Sequence, residues 1–187
     1  TFNIRLPRAL ERIKTLAEKM QKETVKDFDY QTLNQALQSL IQDETDALAN
    51  LSNSAALLYH GMDEINWAGF YLLREDELVL GPFQGKLACT RIALGRGVCG
   101  TAAENREAIV VQDVHEFPGH IACDEASASE IVIPIISDDR LIGVLDVDSP
   151  VKGRFSETDR QYLQGFVDIL SAHIRWEDLI QSSSQRG

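Results

Sequence analysis

Cysteine is scarce: the 187 residues hold three, too few for a disulfide framework and an odd number that internal pairing cannot exhaust. Basic side chains are also few, 18 Lys and Arg against 29 Asp and Glu, for a formal net charge of −11. With no long basic stripe, that balance argues against nucleic acid and anionic membranes as partners. Long apolar runs are missing. The longest, Ile131 to Ile136, includes Pro134 and falls far short of the roughly 20 residues of a bilayer span. The opening residues, Thr1 to Leu6, lack the apolar core of a secretory signal. Together with the sparse cysteines, this predicts a cytoplasmic, reducing setting, where thiols pack or do chemistry. There is no internal repeat and no low-complexity segment.

What is present is ordinary globular composition, 44% hydrophobic and 25% charged, enough to build one core. Apolar residues recur at helical spacing in three early segments. The first covers residues 8 to 22, through Leu10, Ile13, Leu16, Ala17 and Met20. The second is capped by Asp29 and carries Leu33, Leu37, Leu40 and Ile41. The third runs from about Glu44 to Tyr59. Strand-like segments follow at Asn66–Leu73, Leu78–Leu80, Leu87–Leu94, Ile109–Val111, Ile131–Ile136 and Leu141–Val147. A short helix is expected over Val98–Asn105, and a last one from Ser156, with Glu157 and Asp159 in its first turn. Helices, then strands, then a helix define an α+β plan: a mostly antiparallel sheet with helices packed on one side. A loop of about fifteen residues, His115 to Ser129, is long for a compact domain, and such loops are often functional.

The stretch Gly95-Arg96-Gly97-Val98-Cys99-Gly100 matches G-x-G-x-x-G, but no parallel βαβ frame surrounds it. These glycines are expected to turn a tight corner rather than cradle a dinucleotide. The three cysteines fall in different settings: Cys89 in a strand, Cys99 at a helix start and Cys123 in the long loop. Most buried cysteines are small hydrophobes. A helix N-terminus, however, favours a thiolate at Cys99, and a loop position suits Cys123 to thiol exchange. His115, His120 and Cys123, with Cys89 or Cys99, could form a structural zinc site. No C-x-x-C or H-x-x-x-H spacing supports it, so no metal is expected.

The carboxylates say more. In Leu141 to Asp148 strict alternation puts Ile142, Val144, Asp146 and Asp148 on one face, which turns from apolar to acidic at its end. The plain explanation is a strand leaving the core. The functional one is a pocket with an apolar floor and an acidic wall, able to hold an ammonium group or keep a proton. Glu130 joins that wall only if it stands opposite Asp148. A simple two-residue turn at Asp138-Asp139 would set Ile131 opposite Asp146 and turn Glu130 away; a longer loop or a bulge brings it in. The bulged register is the one expected, since Pro134 makes an irregular strand natural. Trp67 and Tyr71 share a strand face, and Trp67 beside acids would make an apolar, cation-binding wall.

Five segments together resemble the free methionine-(R)-sulfoxide reductases, a GAF-type family. They are Ile65-Asn66-Trp67-Ala68-Gly69-Phe70-Tyr71, Leu80 to Lys86, Gly95 to Ala102, Gly119 to Asp124 with Ser129 to Val132, and Gly143 to Ser149. The similarity covers roughly Phe28 to Ile180. It implies a GAF-like α+β fold: six antiparallel strands, helices on one face and a loop-covered pocket on the other. The chain is therefore expected to divide into a helical extension over 1–27, which the resemblance does not cover, a catalytic domain over 28–181 and a polar tail over 182–187. The resemblance also implies reduction of free L-methionine (R)-S-oxide, without a bound cofactor. Cys123 would be the nucleophile and Cys89 the resolving thiol, with Cys99 as the alternative. Glu130, Asp146 and Asp148 would handle protons and bind substrate beside Trp67 and Tyr71, and thioredoxin would be the reductant. Terminal helices of such domains commonly pair as a homodimer. The competing expectation is a non-catalytic GAF module that senses a small ligand. It has no need of two thiols able to meet.

Overall fold

A computed structural model of the chain describes residues 11, 14, 15, 30–119 and 126–180, with side chains as far as 179. The helix expected over 8–22 lies mostly outside these residues, although Glu11, Lys14 and Thr15 are helical. The cap expected at Asp29, the tail 182–187 and loop residues 120–125, with Cys123 and His120, also lie outside them.

Helix α1 spans Tyr30–Ile41 and α2 spans Ala47–Gly61. The second starts later than the spacing from Glu44 predicts. Asp46 is extended, and its carboxylate accepts the Ala49 N–H at 2.7 Å, which makes it the N-cap. Six strands follow: β1 Trp67–Arg74, β2 Glu77–Gly85, β3 Arg91–Ala93, β4 Ile109–Val111, β5 Ser129–Ser137 and β6 Arg140–Ser149. They form one sheet in the order β3-β2-β1-β6-β5-β4, and every neighbouring pair is antiparallel. Helix α3, Gly97–Asn105, links β3 to β4; α4, Glu157–His173, and the short α5, Glu177–Ile180, close the chain. Among the described residues no helix is long and apolar enough to cross a membrane.

Period-two alternation sorts the strands onto two cores. Ala68, Phe70, Leu72, Ile131, Ile133, Leu145 and Val147 point to α1, α2 and α4, where Leu37, Leu51, Leu58, Leu163 and Phe166 meet them. Trp67, Tyr71, Val132 and Val144 point the other way. That second face is not covered by loops alone: α3 sits there, burying Val98, Cys99, Ala102 and Ala103. Its small side chains let it sit close. A Cβ on Gly100 would come 2.3 Å from the Ala93 carbonyl oxygen. Gly95 and Gly97 take positive φ just before it, so these glycines turn a corner, as expected.

The β5–β6 hairpin settles the register. Asp138 and Asp139 both have positive φ and form a tight two-residue turn that pairs Ser137 with Arg140 and Ile136 with Leu141. An irregularity then shifts the pairing, so that Ile135 meets Gly143 and Glu130 meets Asp148. The extra residue is Ile142, and it corrects the sequence reading. Ile142 does not share a face with Val144, Asp146 and Asp148. It packs into the helix-side core, and Leu141 takes the other face. Strict alternation fails across a bulge because two residues there oppose one.

Candidate active site

Three neighbouring strands build one wall. Asp148 stands between Trp67 on β1 and Glu130 on β5, and Asp146 stands between Gly69 and Val132. Gly69 is bare for a reason. A Cβ there would lie 2.3 Å from the Phe83 Cβ and 2.7 Å from the Trp67 ring. The vacancy lets Trp67 lie nearly parallel to Phe83 (centroids 5.3 Å apart) and to Tyr71 (5.9 Å). Trp67 Nε1 donates to the Lys86 carbonyl at 3.1 Å, and the Tyr71 hydroxyl donates to the Cys89 carbonyl at 3.0 Å. These two bonds pin the 86–90 loop over the wall. The segment was expected to be strand from Leu87 onward, but only Arg91–Ala93 pairs. Cys89 therefore sits half-buried on a loop, not in a strand.

The wall, α3 and this loop surround a hollow that opens to solvent. Trp67, Tyr71, Cys99, Glu130, Asp146 and Asp148 all line it. Leu87 and Ala88, next to Cys89, line it too. Sequence reasoning missed two other lining residues. Ser127 is buried and accepts a hydrogen bond from Asn66 Nδ2 at 3.2 Å. Arg96, the one cation among the described lining residues, is exposed. The signal for Arg96 was its place between two corner glycines, which is where a loop side chain meets a pocket mouth.

Glu130 and Asp146 are each 6% exposed. Burial pushes Asp146 up to about 7. Burial pushes Glu130 well above the carboxylate range, and the charges of Asp146 and Asp148 reinforce it. The wall therefore holds protons near neutral pH. Cys99 Sγ, also buried, donates to Glu130 Oε1 at 3.7 Å. The thiolate expected there from the helix N-terminus is not favoured. Burial, then the charges of Asp146 and Glu130, raise the thiol well above its ordinary value. Tyr71 is raised as well, by burial and then Asp146. Such a wall can donate protons to a leaving oxygen beside an apolar aromatic surface.

The GAF domain family matches residues 41–175. The chain is 56% identical over 147 residues to Protein YtsP of Bacillus subtilis, covering 78% of this chain and 90% of that protein. It is 56% identical over 138 residues to the free methionine-R-sulfoxide reductase of Escherichia coli, covering 74% of this chain and 84% of that one. Among solved structures, the fRMsr of Staphylococcus aureus in complex with substrate superimposes with a TM-score of 0.76. It is 50% identical, covering 81% of this chain and 99% of that one. The six-stranded antiparallel sheet with its helices is the fold expected of such relatives. By the GAF match and by identity over most of its length, this chain belongs to the GAF-domain family of free methionine-R-sulfoxide reductases.

Proposed function

We propose that this protein reduces free L-methionine (R)-S-oxide to L-methionine through a thiol cycle recharged by thioredoxin. The observation that carries this reading is the wall itself: Glu130 and Asp146, buried side by side so that both carboxyls are raised above their ordinary range, within one hollow lined by Trp67. A sulfoxide oxygen leaves only when protonated, and a carboxyl in low dielectric keeps the proton it needs. The Cys123 thiolate attacks the sulfoxide sulfur. The S–O bond breaks, the oxygen passes to Cys123 as a sulfenic acid, and methionine departs. The Cys89 thiol then displaces that oxygen as water and closes a disulfide, which a thioredoxin dithiol reduces.

Cys89 is favoured over Cys99 for this role because Cys89 is disulfide-bonded, whereas Cys99 is a free, buried thiol. Trp67 packs against the substrate methyl. Asp148, half-buried and nearer solvent, pairs with the substrate ammonium, and Arg96 with its carboxylate. The free amino acid, which the names of the relatives specify, is the substrate rather than the residue within a protein chain. A homodimer in the cytoplasm completes the reading, and sedimentation tests the dimer.

The test is thioredoxin-coupled turnover of the R sulfoxide beside the S epimer, with Cys123→Ser and Cys89→Ser. The expected result is turnover of the R form only, none in Cys123→Ser, and a single turnover ending in a trappable sulfenic acid in Cys89→Ser. Cys99→Ser should continue to cycle. Silence with both epimers, from folded protein with free thiols, would overturn the reading in favour of a ligand-sensing GAF module.

A further inference from the structure

Cys99, Glu130 and Asp146 form more than a proton store. Cys99 Sγ and one oxygen of each carboxylate lie within 4.8 Å of one another, all three side chains buried. They come from α3, β5 and β6, so the fold rather than local sequence assembles them. The Sγ–Oε1 separation is 3.7 Å. In a tetrahedral zinc site, Zn–S and Zn–O bonds give a sulfur–oxygen edge of about 3.6 Å. A second observation points the same way. Asp146 Oδ1 is buried and meets no hydrogen-bond partner among the described residues. That one oxygen is left over on a residue that lines the hollow, although the carboxyl as a whole interacts with Cys99 and Glu130.

We infer that the Cys99–Glu130–Asp146 cluster is an inhibitory site for a thiophilic divalent cation such as Zn²⁺, which enters through the substrate hollow and excludes the substrate. The cation bonds to Cys99 Sγ and to one oxygen of each carboxylate. The thiol proton and any carboxyl proton leave to solvent, and no electron moves. A water from the hollow completes four-coordination. Two carboxylates and a thiolate suit zinc, cadmium or cobalt; magnesium, which takes oxygen donors in octahedral geometry, gains little from the sulfur. Thiol enzymes commonly lose activity to zinc at the reacting cysteine. Here the site uses the cysteine that does not react. Coordination does not depend on the reductase reading; only the inhibition does.

The test separates the two. In Cys89→Ser/Cys123→Ser protein the sole thiol is Cys99. Adding Co²⁺ should produce a near-ultraviolet thiolate-to-cobalt band that saturates at one ion per chain. The band should vanish on further Cys99→Ala and weaken at least about tenfold in apparent affinity on Glu130→Gln. Unaltered protein, oxidised so that one thiol remains titratable in denaturant, should show the same band without any substitution. In turnover assays Zn²⁺ should raise the apparent KM for the sulfoxide and leave kcat unchanged. Magnesium at equal concentration should do neither. No band in either the variant or the oxidised protein, or a band that survives Cys99→Ala, overturns the site. Zinc inhibition unaffected by substrate concentration overturns the competition.

Discussion

Asp146 shows how position makes a carboxyl useful. It stands between a glycine and a valine on neighbouring strands, and burial lifts it to about 7. If the protonated form donates in the reaction, turnover falls as pH rises past about 7. Asp146→Asn should lower kcat by about a hundredfold and flatten that limb of the pH profile, read by coupled assay from pH 5.5 to 9. Gly69 acts by what it leaves out. Gly69→Ala drives a methyl into Phe83 and the Trp67 ring. Urea unfolding should show a loss of about 1–3 kcal/mol, and KM should rise as the ring tilts. The acids and the Trp67–Tyr71 pair were readable from spacing and alternation. Ser127 was not, because its only local mark is a short polar side chain in a loop.

At the scale of elements, two small devices hold the site in place. The first is the pinned 86–90 loop. Tyr71→Phe deletes the hydrogen bond to the Cys89 carbonyl at a cost of about 1 kcal/mol. Amide exchange in residues 86–90 should speed up while exchange in β5 and β6 stays slow. The second is the start of α4. Ser156 and Asp159 form a capping box, and Asp159 also accepts from Tyr30 on α1 and from Arg154 at 2.8 Å. Ser156→Ala should cost about 0.5–2 kcal/mol by chemical denaturation. The cap was legible in the sequence. The link to Tyr30 was not, since 129 residues separate the partners.

For the molecule as a whole, the buried acids set the pH dependence of stability. Glu130 and Asp146 hold protons in the fold that the unfolded chain releases in the ordinary carboxylate range. The native state thus binds more protons from about pH 4 upward, so stability falls as pH rises toward and past 7. Other carboxyls run the opposite way. Lys152 holds Asp113 low and Arg160 holds Glu157 low; burial raises Asp159, but hydrogen bonds from Ser156, Tyr30 and Arg154 outweigh it. Their contribution is complete by about pH 5 and is lost only in stronger acid. Between pH 5 and 8, the unfolding free energy of the unaltered protein should therefore fall more steeply than that of Asp146→Asn. Equal slopes in paired denaturant titrations would refute the assignment.

Local chemistry in the sequence determined the elements: helical spacing, the Ser156 cap, the paired aspartates of a tight turn, the corner glycines. It also marked Cys89, Cys99 and Cys123 and the acids as the residues with chemistry to do. The tertiary structure decided which of them meet. A single bulge at Ile142 moves Glu130 opposite Asp148, and no propensity encodes it more than weakly. Packing placed α3 on the pocket side and buried Cys99, reversing the thiolate that its helix position favoured. Thiol acidity and carboxyl protonation depend on dielectric and neighbouring charge, and those belong to the folded surroundings rather than to the residue.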